Sequence, residues 1–176
     1  MTVDDYLLLD RSGVFDGYGK TELINGTIYF VNAQYSQHMK AKVHLLRRLA
    51  DACDALGGGF EAWSEGSVEM GRHGMPEPDV FVTNATPADG PVDRQSVVLI
   101  VEVSDTTQDF DLGEKATLYA ANGIAEYWVV DLKSGKIHQL FAPSGSTYTA
   151  RATVNFGDAI KAMTIDGLGI ATDGLG

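Results

Sequence analysis

The segment Val97–Ser104, with the sequence VVLIVEVS, constrains the fold of this 176-residue chain more than any other segment does. Its apolar and largely β-branched residues predict a strand that is buried on both faces of a sheet. Glu102 lies inside this run, and a buried ionised carboxylate without a partner is costly or takes up a proton. Glu102 therefore requires a cation, a metal ion or a catalytic role.

Bulk properties restrict the class of protein. The single cysteine, Cys53, excludes an internal disulfide and a cysteine-based zinc site. No apolar stretch is long enough to span a membrane and the N-terminus lacks a signal-peptide pattern, so we expect a cytoplasmic protein with no membrane partner. The net charge of −11 argues against a broad basic surface that coats nucleic acid, but not against a local site.

Local patterns predict the order of the elements. Asn25-Gly26 favours a type I′ turn and therefore an N-terminal β-hairpin. An amphipathic helix is predicted from about residue 36 to 56, with Ser36 as its cap, by apolar residues at helical spacing, namely Met39, Val43, Leu46, Ala50 and Cys53, joined by Leu45, Leu49 and Leu56. Short strands are expected within 60–70 and 79–82, a helix over 112–122 opened by a capping box of Asp111 and Glu114, and a meander of strands at 124–131, 136–141 and 147–152.

This order predicts a mixed α+β fold: a central mixed sheet flanked by helices, with an N-terminal hairpin and a C-terminal β-meander. We expect residues 1–176 to form a single domain. Residues 155–176 are Gly-rich and weakly patterned, so the sequence does not determine whether this tail is ordered.

Two carboxylates are candidates for one site. Asp79 follows a proline at the start of a predicted strand, and Glu102 lies within the next long strand. If these strands are neighbours, both carboxylates can project from one face of the sheet. Oxygen ligands of this kind suit Mg²⁺ or Mn²⁺, so the pair predicts a site for a hard metal ion.

Lys115 is placed in the first turn of the following helix, where the helix dipole disfavours a cation. If the start of that helix packs over the Glu102 strand, the ammonium of Lys115 can point at the carboxylates and at a bound phosphate. Tyr119 lies one turn later on the same helical face and could support Lys115.

The chain carries an ordered series of short motifs over about residues 1–150, namely Glu22–Gly26, His38, Pro78-Asp79, Val101–Ser104, Asp111–Lys115 with Leu118-Tyr119, and Glu126–Asp131. This series resembles the Uma2 family, which is placed among the PD-(D/E)XK nucleases of restriction-endonuclease-like fold. The usual lysine of that pattern lies two residues after the second acid, where this chain has Ser104. The resemblance implies that Lys115 replaces it from the following helix.

The resemblance implies metal-assisted hydrolysis of phosphodiester bonds. Asp79, Glu102 and the backbone carbonyl of Val103 would hold the ion, and Lys115 would orient water and stabilise charge on phosphorus. Glu22 would be an outer metal ligand and His38 a phosphate or water contact. A basic face on the long helix is the expected nucleic-acid contact, formed by Lys40, His44, Arg47 and Arg48.

Structural interpretations remain open for the same residues. Glu102 and Lys115 could form a buried ion pair, and Asp79 could be a turn residue. His38 could only hydrogen-bond at the helix start, and Glu22 could form a cross-strand pair. The basic helix face could be an ordinary solvated surface.

Two functional hypotheses follow. The first is a Mg²⁺- or Mn²⁺-dependent DNA endonuclease that acts as a homodimer. The second is a catalytically weak or inactive protein of nuclease fold that serves as a binding or regulatory module.

Overall fold

The computed structural model describes residues 1–31 and 35–176. Its strands, in chain order, are β1 (Thr21–Ile24), β2 (Thr27–Phe30), β3 (Glu61–Trp63), β4 (Val68–Glu69), β5 (Val80–Thr83), β6 (Val92–Asp93), β7 (Val97–Ser104), β8 (Glu126–Asp131), β9 (Lys136–Ser144), β10 (Thr147–Asn155), β11 (Ala159–Lys161) and β12 (Gly169–Ala171). Its helices are α1 (Val3–Arg11), α2 (Ser36–Leu56), α3 (Gln108–Phe110) and α4 (Ala116–Ala121); a π-helical turn (Asp111–Lys115) joins α3 to α4, and short 3-10 turns lie at Gly71–His73 and Arg94–Ser96.

A six-stranded mixed sheet with the order β10-β9-β8-β7-β5-β3 forms the centre of the molecule. β7 pairs in parallel with β8, and the other neighbours in this sheet are antiparallel. Within β7 only Val98 is less than fully buried, which confirms that this strand lies in the interior of the sheet. The hairpin β1–β2 and the meander β8–β9–β10 are also present, so the predicted mixed fold is confirmed.

The alternation of side chains along β7 divides the core into two layers. Val101 and Val103 face one layer, which is covered by α2. Ile100 faces the other layer, together with Tyr119 of α4 and Tyr127 of β8. Glu102 shares the face of Ile100 because residues two apart on a strand point the same way.

The buried face of α2 differs from the prediction. Met39 and Val43 are 50% and 42% exposed. The residues that face the sheet lie at i, i+4 spacing, namely Ala41, Leu45, Leu49 and Cys53, of which Ala41 alone was not among the predicted apolar residues. Apolar residues occupy more than one face of this helix, so the sequence pattern alone did not select the buried one. The cap was also misassigned, because Tyr35 is the N-cap and Ser36 is the first helical residue.

The predicted capping box at Asp111 is wrong. The helical segment begins earlier, at Gln108, and Asp111 lies inside the π-helical turn. Its carboxylate accepts a hydrogen bond from the Thr107 hydroxyl at 2.6 Å instead of capping a backbone amide of the next turn. A π-helical turn changes the direction in which the neighbouring side chains point. A search for α-helical capping motifs does not anticipate this change.

The N-terminal helix α1 was not predicted. Thr2 and Asp5 form a capping box at its start, and its Val3 and Tyr6 pack with Leu23 of the hairpin in a small separate core. The hairpin turn has the expected backbone, with positive φ angles of 50° at Asn25 and 80° at Gly26.

The C-terminal residues are paired as β11 and β12, and Ile160 and Ile170 join the core layer under α2. Within the described parts of the chain, no helix combines the length and hydropathy needed to cross a membrane.

Candidate active site

A cavity of about 680 Å³ opens beside the end of β7. Its walls come from the hairpin, the start of α2, the segment before β5 and the turn that carries Lys115. Its lining residues are Lys20, Glu22, Tyr29, Phe30, Val31, Tyr35, His38, Glu77, Asp79, Glu102, Val103, Asp105, Thr106, Thr107, Phe110, Asp111 and Lys115.

Asp79 and Glu102 are brought together by antiparallel pairing of β5 with β7. Val80 lies opposite Val101, so the same register places Asp79 opposite Glu102 on one face. The amide of Asp79 donates to Glu102 Oε2 at 3.4 Å, and the amide of Val103 donates to Asp79 Oδ2 at 2.9 Å. Both carboxylates are almost fully buried, yet both border the cavity.

Lys115 reaches Glu102 and Glu22 from the π-helical turn. Its Nζ lies 2.9 Å from Glu102 Oε1 and 3.2 Å from Glu22 Oε2. The hydroxyl of Tyr119, one turn further along, donates to Glu102 Oε1 at 2.7 Å. Glu22 therefore directs its carboxylate into the site, and it also accepts a hydrogen bond from the Glu77 amide at 2.9 Å.

Two residues of α2 contact Asp79. His38 Nε2 lies 3.2 Å from Asp79 Oδ2, and Lys42 Nζ lies 4.0 Å from Asp79 Oδ1. Lys42 also pairs with Glu65 at 2.7 Å. Among the described residues, His38 Nδ1 is a buried nitrogen without a hydrogen-bond partner.

Electrostatic effects oppose one another at Glu102. Burial raises the pKa of Glu102 to about 7; Lys115 works against this rise, whereas Asp79 and Glu22 add to it. Burial alone would lower the pKa of Lys115, but the surrounding carboxylates, Glu102 first, raise it above the ordinary lysine value. Lys115 therefore stays charged, and Glu102 is the member of the pair that titrates near neutral pH.

The contact between His38 and Asp79 outweighs their burial. Burial would raise the pKa of Asp79, but the hydrogen bond and charge of His38 lower it below the ordinary aspartate value. Burial would lower the pKa of His38, but Asp79 raises it. This arrangement favours an ionised Asp79 beside a protonated His38.

Sequence reasoning missed three residues of this site. Lys42 lies one helical turn after His38, so the i, i+4 spacing could have revealed it. Thr107 and Asp111 form a hydrogen-bonded pair on the cavity wall, and the Ser104 hydroxyl lies 3.4 Å from that of Thr107. Burial raises the pKa of the Asp111 carboxyl. Only the π-helical turn brings Asp111 to the cavity.

None of the four residues of the predicted basic face lines the cavity. Arg48 donates to the backbone carbonyls of Ala171 and Asp173 and pairs with the Asp173 carboxylate at 3.1 Å. It therefore holds the C-terminal segment against α2. The other three side chains, Lys40, His44 and Arg47, are exposed.

The donor chemistry of the site fits a hard divalent cation. Asp79 and Glu102 supply carboxylate oxygens, and Val103, the residue after Glu102, supplies a backbone carbonyl. Such ligands suit Mg²⁺ and Mn²⁺. Across residues 1–31 and 35–176, no group of three or more His, Cys, Asp or Glu side chains is already arranged to hold a metal ion.

The fold and this cavity together define a protein of restriction-endonuclease-like fold with buried acids and a buried lysine at its open site. The chain belongs to the Uma2 family, whose model, described as "Putative restriction endonuclease", matches residues 3–173. A crystal structure of a putative nuclease belonging to DUF820 from Anabaena variabilis has the same fold, with a TM-score of 0.64 at 14% identity over 92% of this chain and 89% of that one. No significant match was found among curated proteins.

Proposed function

We propose that this protein is a divalent-metal-dependent endonuclease that hydrolyses phosphodiester bonds of DNA. One observation carries the proposal: Asp79, Glu102 and Lys115 meet at the wall of an open cavity. A purely structural Glu102–Lys115 ion pair does not require a second carboxylate, that of Asp79, and a cavity of this size beside it. Membership of the Uma2 family supports the same class of reaction.

In this proposal, Asp79, Glu102 and the Val103 carbonyl hold Mg²⁺ or Mn²⁺. The bound ion supplies Lewis-acid polarisation of the phosphate and lowers the pKa of water. Lys115 stabilises negative charge that develops on the phosphoryl oxygens and orients the attacking water. Tyr119 is a positioning residue because its hydroxyl fixes Glu102 Oε1.

The remaining accessory residues surround this centre. Glu22 shares the Lys115 ammonium with Glu102, and it would be an outer ligand of the ion. His38 holds the Asp79 carboxylate and contacts the phosphate or its water. The hydroxyls of Ser104 and Thr107 hold Asp111 at the cavity wall.

Cleavage of supercoiled plasmid in Mg²⁺ or Mn²⁺ tests the proposal. We expect nicking by the wild type, and loss of nicking in Asp79→Asn and Lys115→Met. Lys133→Met is the matched control, because Lys133 is an exposed lysine on the β8–β9 turn and lies outside the cavity. Equal nicking by all four proteins would show that the site is wrong or that the activity is a contaminant.

A second candidate is a binding or regulatory module that holds a cation without turnover. It is favoured by the pairing of Glu102 Oε1 with both Lys115 and Tyr119, and by the net charge of −11. Isothermal titration with Mn²⁺ separates the two candidates. Binding that requires Asp79, together with no cleavage of plasmid or oligonucleotides by pure wild type, would select the module.

We further propose a single-domain protein that works as a cytoplasmic homodimer, so that two sites can address two strands. Light scattering coupled to size-exclusion chromatography measures the mass in solution. A monomer at every concentration tested would contradict the dimer without affecting the site.

A further inference from the structure

Aromatic residues line the cavity beside the buried acids. This aromatic group consists of Tyr29, Phe30, Tyr35 and Phe110. Phe30 is 53% exposed and Tyr35 is 76% exposed. Large apolar side chains that remain exposed beside a polar site are typical of ligand-binding surfaces.

Neighbouring side chains hold part of this aromatic group in place. The rings of Tyr29 and Phe110 lie 4.8 Å apart between centroids, and the Tyr29 hydroxyl donates to Glu114 at 2.7 Å. Phe30 packs against Tyr18, with ring centroids 4.9 Å apart. Phe30 contributes to the packing of the hairpin region, but about half of its surface remains available to a ligand.

The charges around the cavity do not favour a polyanion. Acidic residues predominate among the lining residues, and both lining lysines are paired: Lys20 with Glu77, and Lys115 with Glu22 and Glu102. Binding through phosphate contacts alone requires a surplus of Lys and Arg. A nucleic acid that enters this cavity therefore needs another source of affinity.

We infer that the cavity binds unpaired nucleotides of a single-stranded nucleic acid, with bases stacked on Phe30 and Tyr35. Aromatic side chains bind bases of any sequence through their faces. A duplex hides those faces and presents only groove edges and backbone. The inference rests on the proposed function in one respect: the sugar-phosphate backbone of the bound strand runs toward Asp79 and Glu102.

Fluorescence anisotropy with three labelled probes tests the inference, each of about twelve nucleotides to match the length that such platforms span. The probes are a single DNA strand, its duplex, and an abasic strand that keeps the phosphates but lacks the bases. Ca²⁺ replaces the catalytic ion during the measurement. An RNA strand of the same sequence then reports which sugar is preferred.

We expect the intact single strand to bind at least tenfold more tightly than the abasic strand or the duplex. Phe30→Ala and Tyr35→Ala should each weaken it by about 5- to 100-fold. Tyr35→Phe should retain binding, since it keeps the ring. Met163→Ala is the control, because Met163 is 55% exposed but lies beside Glu126, at the end of the sheet away from the site.

Equal binding of the intact and abasic strands, no binding of the single strand, or unchanged binding by both alanine variants would overturn the inference. Circular dichroism verifies that the variants are folded. Plasmid nicking without base-dependent binding would leave the proposed function standing, whereas base-dependent binding without cleavage of any probe would remove the proposed function alone.

Discussion

The substitution Glu102→Gln gives the sharpest test of the electrostatics of this site. The pKa of Glu102 is about 7 in the folded protein, against an ordinary glutamate value of 4.5. When the pH lies between these two pKa values, the Glu102 carboxyl keeps its proton in the folded state and has lost it in the unfolded state. The free energy of unfolding therefore falls as the pH rises from about 5 to 8.

The size of the effect follows from the two proton affinities. Each tenfold change in proton affinity is worth about 1.4 kcal/mol, so the difference between 4.5 and about 7 corresponds to roughly 3 kcal/mol. The glutamine side chain of the variant cannot ionise, and its oxygen can still accept hydrogen bonds from Lys115 and Tyr119. Lys115 also keeps Glu22 as a partner. Over this pH range, the free energy of unfolding should therefore fall by about 3 kcal/mol less in the variant than in the wild type.

Urea unfolding at pH 5 and pH 8, with EDTA present, measures this difference. His38 contributes with the same sign, because its raised pKa gives stability below about 6.5 that is lost as the pH rises through the folded value. His38→Gln is therefore the matched variant, and it should leave the contribution of Glu102 in place. An equal loss of stability in wild type and Glu102→Gln would refute the assignment of the titrating group.

Three further predictions concern metal, catalysis and structure. Mn²⁺ should raise the melting temperature more at pH 8 than at pH 6, because protons compete for Glu102, and Asp79→Asn should abolish the rise in differential scanning fluorimetry. Lys115→Met should slow plasmid nicking by about 100-fold or more, and a rate within twofold of wild type would contradict its catalytic role. Glu126→Gln should lower the free energy of unfolding, measured by urea titration, by about 2–4 kcal/mol. The folded variant should still nick plasmid. An unchanged free energy of unfolding would argue against a structural role for Glu126.

Features that depend on local chemistry could be predicted from the sequence. The apolar run around Glu102 gave a buried strand, and Asn25-Gly26 gave a hairpin turn with two positive φ angles. The proximity of Asp79 to Glu102 was only a conditional expectation, because the sequence does not show that their strands are neighbours; the pairing of β5 with β7 supplies that adjacency.

Features that depend on tertiary packing could not be predicted. α2 carries apolar residues on two faces, and only the docked sheet determines that Ala41 is buried and Met39 is exposed. The π-helical turn has no simple sequence signature, yet it directs both Asp111 and Lys115 toward the cavity. The role of Arg48 depends on the C-terminal segment, whose position is set by its own pairing in β11 and β12.

Two buried glutamates of this sheet show how a structural carboxylate differs from the one in the candidate site. Glu126 accepts hydrogen bonds from neutral donors, including the Trp128 indole at 2.6 Å and the amides of Met163 and Thr164 at 2.7 and 2.9 Å. These donors satisfy its oxygens without any need for a counter-ion, as expected for a group that only stabilises the fold.

Glu102 has the opposite surroundings. Its nearest cation, Lys115, is shared with Glu22, while Asp111 and the His38-paired Asp79 also lie nearby, so the carboxylates outnumber the cations around Glu102. An ion pair needs one carboxylate for each ammonium, so the Glu102–Lys115 contact alone does not account for this surplus of acids. Burial raises the pKa of Glu102 and the surplus of acids adds to this rise. A divalent cation from the adjoining cavity would relieve the surplus more fully than a proton does. The surplus, rather than the salt bridge, is therefore the reason to favour a metal site.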